Sequence, residues 1–138
     1  MRPIVSRSSD HRAMFWSSMR SRRSSRFSRY REIMDFDSAC LDRVYELAVA
    51  AEARGNLPIA ALLVRGTSVV AEGANRSLNP CFHPGRHAEV EALRAAPDAV
   101  WAAPAELTLY TSLEPCLMCF GAIVLHRIGR VVFGAYDP

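Results

Sequence analysis

The sequence contains no lysine, no long apolar run, no internal repeat and only four cysteines. No segment reaches the roughly 18 consecutive apolar residues that a membrane-spanning helix needs, so we predict no membrane partner. Two of the cysteines form a C-x-x-C pair, which favours metal binding over disulfides. A disulfide between Cys40 and Cys81 is the alternative. The chain has 138 residues, of which 50% are hydrophobic, which is enough for one compact domain.

Arginine is the only strongly basic residue type, and it is unevenly distributed along the chain. Nine of the 17 arginines lie in residues 1–33, with nine serines and two acids, so this segment carries a net charge of +7. Residues 34–138 contain eight arginines and twelve acids and carry −4. The first segment also lacks an apolar period. We therefore predict a disordered basic extension over residues 1–33 and a folded domain over residues 34–138.

The basic extension has four open explanations. It could bind nucleic acid as an arginine-rich arm, act as an organelle transit peptide, which is rich in arginine and serine, or be a plain solvated segment. It could also lie outside the translated protein, because apolar periodicity begins just after Met34. We favour this fourth explanation. A peptide from residues 2–30, found by mass spectrometry of the natural protein, would contradict it.

Two short motifs carry the chemistry that the sequence predicts. His87 and Glu89 form an H-x-E motif, and Pro115 precedes the C-x-x-C pair of Cys116 and Cys119. Together these motifs are typical of zinc-dependent nucleobase deaminases. One imidazole and two thiolates suit Zn²⁺, and three protein ligands leave a fourth position open, as in catalytic zinc sites. Zinc lowers the pKa of water toward about 7, and we assign Glu89 as the catalytic group that moves the proton.

Apolar spacing and helix-breaking residues predict the element order α-β-β-α-β-α-β. Helices are predicted from residue 37 or 38 to residue 54, over residues 87–96 and from residue 116 onward. Strands are predicted over residues 59–64, 69–71, 107–111 and 130–136, with a loop over residues 74–86. The crossover at the end implies some parallel pairing. The predicted fold class is therefore α/β, with helices covering a mixed sheet.

The helix patterns also predict which side chains are buried and how the cysteines are placed. Cys116 and Cys119 are three residues apart, so a helix places both sulfurs on one face. The positive end of that helix favours thiolate over thiol. In the first predicted helix, the apolar side consists of Leu41, Val44, Tyr45, Ala48 and Val49. In the second, it includes Val90 and Leu93.

Residues 36–138 resemble the cytidine/deoxycytidylate deaminase superfamily, most closely the TadA-type tRNA adenosine deaminases. Residues 111–123 and 127–135 are similar to the cysteine helix and the following strand of that type. The resemblance implies a three-layer α/β/α fold, bound zinc, hydrolytic deamination of a base with release of ammonia, and a homodimer. It also implies that Asn75 and the backbone near Ala61 bind the substrate. We expect a cytoplasmic location.

Four features depart from the TadA-type pattern. Arg86 stands where an alanine is common, and Ala60 replaces the usual glycine. Cys81 and His83 add residues that could bind a metal. The sequence stops at residue 138, whereas TadA-type proteins continue with a C-terminal helical part. Either this is a fragment or the substrate surface is built differently.

Three further interpretations are open beside adenosine-to-inosine conversion in tRNA, which we prefer. The short C-terminus and the acidic domain favour small substrates, because phosphate contacts need cations. A deaminase of free guanine, cytosine or cytidine is therefore the first alternative. A zinc-stabilised RNA-binding module without catalysis is the second. The third is a closed structural zinc site, which would use Cys81 beside His87, Cys116 and Cys119 and leave Glu89 without a role.

Overall fold

The structure, a computed structural model, describes the backbone of residues 10–137 and the side chains of residues 28–137. The chain divides into two units, residues 1–35 and 36–138. The described helices and strands follow the predicted order: α1 (Asp10–Ala53), β1 (Ala60–Arg65), β2 (Ser68–Ala74), α2 (Ala88–Ala95), β3 (Leu107–Leu113), α3 (Leu117–Leu125) and β4 (Arg130–Ala135). Two short 3-10 helices connect α2 to β3: Asp98–Ala102 and Pro104–Glu106.

The four strands form one mixed sheet in the order β2-β1-β3-β4. Strand β1 pairs with both β2 and β3 in antiparallel fashion, while β3 and β4 are parallel. The parallel pair follows from the connection through α3, because parallel strands need a crossover. Strand β1 is buried along almost its whole length, which explains its nearly continuous apolar sequence.

Alternate residues of β1 face different helices. Ala61 and Leu63 belong to a core cluster that includes Ile123 of α3 and several residues of α2. Leu62 lies on the opposite face and packs in a second cluster with Val44 of α1. A strand with period-two side chains is thus covered on both faces. The predicted three-layer α/β/α fold is confirmed.

Helix α1 differs most from its prediction, because it begins at Asp10 rather than at residue 37 or 38. The backbone of residues 10–33 is therefore helical, where a disordered extension was predicted. No proline or glycine occurs between residues 4 and 54, and arginine is a good helix former, so no residue there stops the helix. Residues 1–9 lie outside the described part. The domain boundary at residue 34 stays a prediction.

The predicted apolar sides of the helices are partly wrong. In α1, Tyr45 and Val49 are exposed, although Val44 and Ala48 are buried as predicted. In α2, Leu93 is buried as predicted, but Val90 is only half-buried. Alanine-rich sequence explains the errors, because alanine fits either a buried or an exposed side and leaves the apolar stripe poorly defined. No helix in residues 10–137 is both long and apolar enough to cross a membrane.

A half-buried ion pair connects the second half of α1 with the sheet. Asp37 accepts a hydrogen bond from the Tyr110 hydroxyl at 2.7 Å, and it also accepts two from the Arg130 guanidinium. Hydrogen bonding to Arg130 holds the pKa of Asp37 below its ordinary value of 3.8. Burial, followed by hydrogen bonding to Asp37, raises the pKa of Tyr110. The charged form of Asp37 therefore stabilises the fold.

We expect Asp37→Asn to lower the free energy of unfolding by about 2 kcal/mol at neutral pH. The loss is smaller than the 3–5 kcal/mol typical of a fully buried pair, because 45% of the Arg130 side chain is exposed. Since the folded pKa is depressed, this contribution is complete above the unfolded pKa and disappears as pH falls through the folded pKa. Urea unfolding across a pH series measures the difference. A difference that is constant down to acid pH, or an equal loss in the exposed control Asp35→Asn, contradicts the assignment.

Candidate metal centre

The three predicted zinc ligands come together at the first turns of two helices. His87 occupies the N-cap position of α2, and Cys116 occupies that of α3. Cys119 lies in the first turn of α3 and is buried. Both helices thus begin one residue later than predicted. One ligand atom from each of the three residues lies within 4.8 Å of the other two.

The geometry of this group fits zinc. The Sγ atoms of Cys116 and Cys119 each lie 3.5 Å from His87 Nδ1. A tetrahedral zinc, with bonds of about 2.3 Å to sulfur and about 2.05 Å to nitrogen, places such atoms about 3.6 Å apart. The sequence does not indicate which ring nitrogen of His87 would bind the metal. In the structure, Nδ1 is the nitrogen that lies close to both sulfurs.

Cys81 does not join the ligand group. Within the described residues, the group contains no fourth histidine, cysteine or carboxylate. Cys81 is exposed and free, and Cys40 is buried and free. The structure therefore forms neither the closed four-ligand site nor the Cys40–Cys81 disulfide. Three ligands with an open fourth position are the arrangement of a catalytic rather than a structural zinc.

Glu89 lies beside the ligands and is almost fully buried. It is 4% exposed, and its Oε2 lies 3.4 Å from the Sγ of Cys119. Burial, followed by the charge of Glu89, raises the pKa of Cys119 above its ordinary value. This direction opposes the expected preference for the thiolate in the metal-free site, and that preference stays a prediction for the zinc-bound site. Metal binding must therefore displace a thiol proton.

Two of the ligands, His87 and Cys116, share one cavity with the buried carboxylate of Glu89. Its lining includes residues from the ends of β3 and β4, from the segments around α2, and from the entry to β1: Ile59, Asn75, His87, Glu89, Leu113, Glu114, Cys116 and Asp137. Both polar and apolar groups therefore surround the candidate metal centre. This composition is typical of a small-molecule or base-binding pocket.

Asn75 lies where the resemblance predicts a substrate contact. It is 2% exposed, it lines the cavity, and its Oδ1 accepts the backbone N–H of Ser77 at 3.0 Å. That bond fixes the orientation of the amide. The Asn75 Nδ2 donates to no other residue in the part of the chain that the structure describes. A buried amide that keeps a donor free is suited to binding a polar ligand.

Ala61 does not reach the cavity. It is fully buried in the core, and its strand is paired on both sides, with Gly73 and Thr111 as its partners in register. Ile59, just before the start of β1, lines the cavity instead. The prediction for Ala61 came from a segment-level resemblance, which locates the strand but not the residue that faces the cavity.

Sequence reasoning missed three lining residues: Ile59, Leu113 and Asp137. Leu113 ends β3, and Asp137 follows the end of β4. Parallel strands end at the same edge of a sheet, where ligands bind in open α/β sheets. The two strand ends were therefore an available signal. Asp137 and Glu114 also contact each other, because the Asp137 N–H donates to Glu114 Oε2 at 3.4 Å.

Comparison with known proteins assigns the family. The family model described as the cytidine and deoxycytidylate deaminase zinc-binding region matches residues 34–135. A tRNA-specific adenosine deaminase from Haemophilus influenzae is 43% identical over 105 residues, which cover 75% of this chain and 60% of that protein. One from Bacillus subtilis is 38% identical over 112 residues, covering 76% and 65%. The chain thus spans about three fifths of the length of these relatives.

Solved structures give the same family. A guanine deaminase from Bacillus subtilis superposes with a TM-score of 0.64 at 36% identity, covering 72% of this chain and 64% of that one. A structure from a study of A-to-I editing by tRNA:A34 deaminases at the wobble position superposes with a TM-score of 0.65, also at 36% identity, covering 73% and 78%. With its matched zinc-binding region, its fold and its three-ligand group, the chain belongs to the cytidine and deoxycytidylate deaminase family.

Proposed function

We propose that this chain is a zinc-dependent hydrolytic deaminase that converts adenosine to inosine in tRNA. The observation that carries the proposal is the buried carboxylate of Glu89, which shares one cavity with the zinc ligands His87 and Cys116. The substrate is supported by the relatives, which are named tRNA-specific adenosine deaminases.

The metal ligands and Glu89 have different roles in the proposed hydrolysis. His87 would hold zinc through Nδ1, and Cys116 and Cys119 through their sulfurs; when bound, the metal acts as a Lewis acid and lowers the pKa of water to about 7. Glu89 takes a proton from the attacking water and delivers it to the ring nitrogen next to the reacting carbon. It then takes up the proton of the hydroxyl group that has been added to the carbon and transfers this second proton to the leaving amine. A C–O bond forms, the C–N bond breaks, and ammonia leaves.

The remaining lining residues are suited to hold a base. The free amide donor of Asn75 matches an acceptor atom on the rim of a purine, and Ile59 and Leu113 offer apolar surface to the ring. The carboxylates of Glu114 and Asp137 supply acceptors at the strand ends. A pocket of mainly apolar walls with a few fixed polar groups orients a ligand in this way.

A deaminase of free guanine is the second candidate. Its support is the guanine deaminase structure in the comparisons and the net charge of −4 over residues 34–138, because a surface with few free cations binds phosphates weakly. A zinc-stabilised RNA-binding module fits less well. It gives no role to Glu89, and burying a carboxylate is costly unless it is paired or used.

Inosine formation tests the proposal. We expect purified, zinc-loaded protein to form inosine in unmodified tRNA, and Glu89→Gln to form none above background. Ammonia release from free guanine, adenosine and cytidine is measured in parallel. If guanine releases ammonia and no inosine forms in tRNA, the result would contradict the tRNA substrate and support the second candidate. A zinc-loaded protein that is inactive on every substrate would contradict an enzymatic role.

We also propose that the protein is a cytoplasmic homodimer. Helix α3 exposes a row of apolar side chains: Leu117, Met118, Phe120, Val124 and Leu125. Contiguous apolar surface of this kind is typical of a protein contact, and a second copy is the partner that the family resemblance implies. All four cysteines are free, as expected in a reducing compartment. The molar mass of the assayed sample, measured by light scattering, distinguishes the dimer from a monomer.

A further inference from the structure

Helix α2 begins without the side-chain cap that a helix start normally has. His87 occupies the N-cap position, but its side chain makes no capping hydrogen bond, because its ring faces the two cysteine sulfurs. The first N–H groups of a helix need partners, and α2 has only eight residues. A short helix depends on contacts outside itself. The residue that would hold zinc therefore stands at a weakly supported helix start.

One ion pair, whose two residues lie on either side of His87 in the sequence, supplies such a contact. The Arg86 guanidinium donates from Nε to Oε1 of Glu91 at 3.1 Å and from Nη2 to Oε2 at 2.8 Å. Arg86 directly precedes the candidate ligand, and Glu91 lies four residues after it, in the first turn of α2. The pair therefore connects the chain before the helix with the helix itself, across the position of His87.

Both side chains of this pair are largely sheltered from solvent. The side chain of Arg86 is 28% exposed and that of Glu91 is 14% exposed. By contrast, Arg94, which is also near Glu91, is 71% exposed and lies 3.8 Å from its Oε1. Hydrogen bonding to Arg86 is the main cause that holds the pKa of Glu91 below its ordinary value. Two-point arginine–carboxylate contacts have a defined geometry, whereas a point contact at the surface does not.

The backbone of Arg86 makes hydrogen bonds to the segment that follows Asn75. Its carbonyl oxygen accepts the N–H of Arg76 at 3.0 Å and the hydroxyl of Ser77 at 3.3 Å. Those residues directly follow Asn75, which lines the cavity together with His87. Arg86 thus touches two segments that build the candidate site, through its side chain on one and through its backbone on the other.

We propose that Arg86 and Glu91 form a positioning pair, which supports the uncapped start of α2 and fixes the His87 ring toward the metal. The pair touches neither metal nor substrate. It acts by holding the backbone on both sides of His87, so that Nδ1 stays in place before the metal arrives. The proposal rests on the ligand assignment made above, and it does not depend on which base is deaminated.

Zinc affinity, measured without any nucleic acid, tests the pair. We expect Arg86→Ala and Glu91→Ala each to weaken zinc binding about tenfold in a chelator competition, the lower end of the effect for residues that orient ligands. The double variant should lose little more than either single one, because the two residues act as one unit. The charge-reversed double variant, Arg86→Glu with Glu91→Arg, should recover part of the affinity. Arg94→Ala is the matched control and should bind zinc like the wild type.

Three outcomes would overturn the proposal. Zinc affinity within twofold of the wild type in both single variants would show that the pair does not position His87. The unfolding of the metal-free variants is followed by circular dichroism. If zinc affinity falls only in proportion to that unfolding, the pair is a structural contact and not a positioning pair. A higher KM with unchanged zinc affinity would make Arg86 a substrate contact. A failure to deaminate tRNA leaves this test unaffected, since zinc binding is measured alone.

Discussion

Glu89→Gln should retain one zinc per chain and deaminate about 10²–10⁴-fold more slowly than the wild type. Glutamine has the size of glutamate but cannot take up and deliver the proton. Zinc retention follows from the ligand geometry, because the metal site is formed by His87, Cys116 and Cys119. The charge of Glu89 also raises the pKa of Cys119, so its removal does not work against the thiolate that zinc needs. Zinc content by atomic absorption and turnover under saturating substrate measure the two effects.

Two control variants make the result for Glu89 specific. Glu52→Gln makes the same chemical change at an exposed position on α1 and should keep full activity. Cys81→Ser removes an exposed thiol outside the ligand group and should keep both zinc and activity. Normal turnover in Glu89→Gln would show that another group moves the proton. Loss of zinc in that variant would instead assign Glu89 to metal binding.

Gly73→Ala should lower the free energy of unfolding by about 3 kcal/mol, at the upper end of the usual cost of overpacking. A Cβ at this position would lie 2.2 Å from the backbone O of Ala88 and 2.3 Å from the backbone N of Ala92. Both atoms belong to α2, and backbone cannot move aside as a flexible side chain can. Helix α2 must therefore shift away from β2. Because Ala88 directly follows His87, zinc affinity should fall in the same variant.

A second glycine provides the matched control. Gly121 lies in α3, and a Cβ there would meet no atom within 4 Å. Alanine is a better helix former by about 0.8–1 kcal/mol, so Gly121→Ala should stabilise the protein slightly. Urea unfolding of both variants, with and without zinc, measures these differences. If Gly73→Ala is as stable as the wild type, α2 does not pack against β2 as closely as the structure describes.

Sequence reasoning succeeded where the information was local. The H-x-E and C-x-x-C motifs predicted the metal ligands His87, Cys116 and Cys119, which the structure brings together. Residues two or three positions apart remain close in any fold. The catalytic role of Glu89 stays a prediction. The element order was also predictable, since strands and helices differ in their apolar period. The burial of individual side chains was harder. Tyr45 and Val49 of α1 fit an apolar pattern but are exposed, whereas Val44 and Ala48, the residues just before them, are buried.

The structure supplied relations between distant segments. The cavity joins Ile59, Asn75, Leu113 and Asp137, which are separated by up to 78 positions in the sequence. No short pattern connects them, because it is the pairing of all four strands that brings the start of β1 and the ends of β2, β3 and β4 to one edge. The Arg86–Glu91 pair is similar, since two charges five residues apart predict a contact only once α2 is known to begin between them.

By itself, the sequence determined the metal chemistry and the order of elements, because both depend on residue type and on short spacing. The tertiary structure alone decided which nitrogen of His87 faces the sulfurs, that Cys81 stays outside the ligand group, and that Ala61 lies in the core. It also decided that Cys119 is buried beside Glu89, which raises the pKa of its thiol. These outcomes depend on the packing of α2 and α3 on the sheet, which brings together groups that the chain itself keeps far apart.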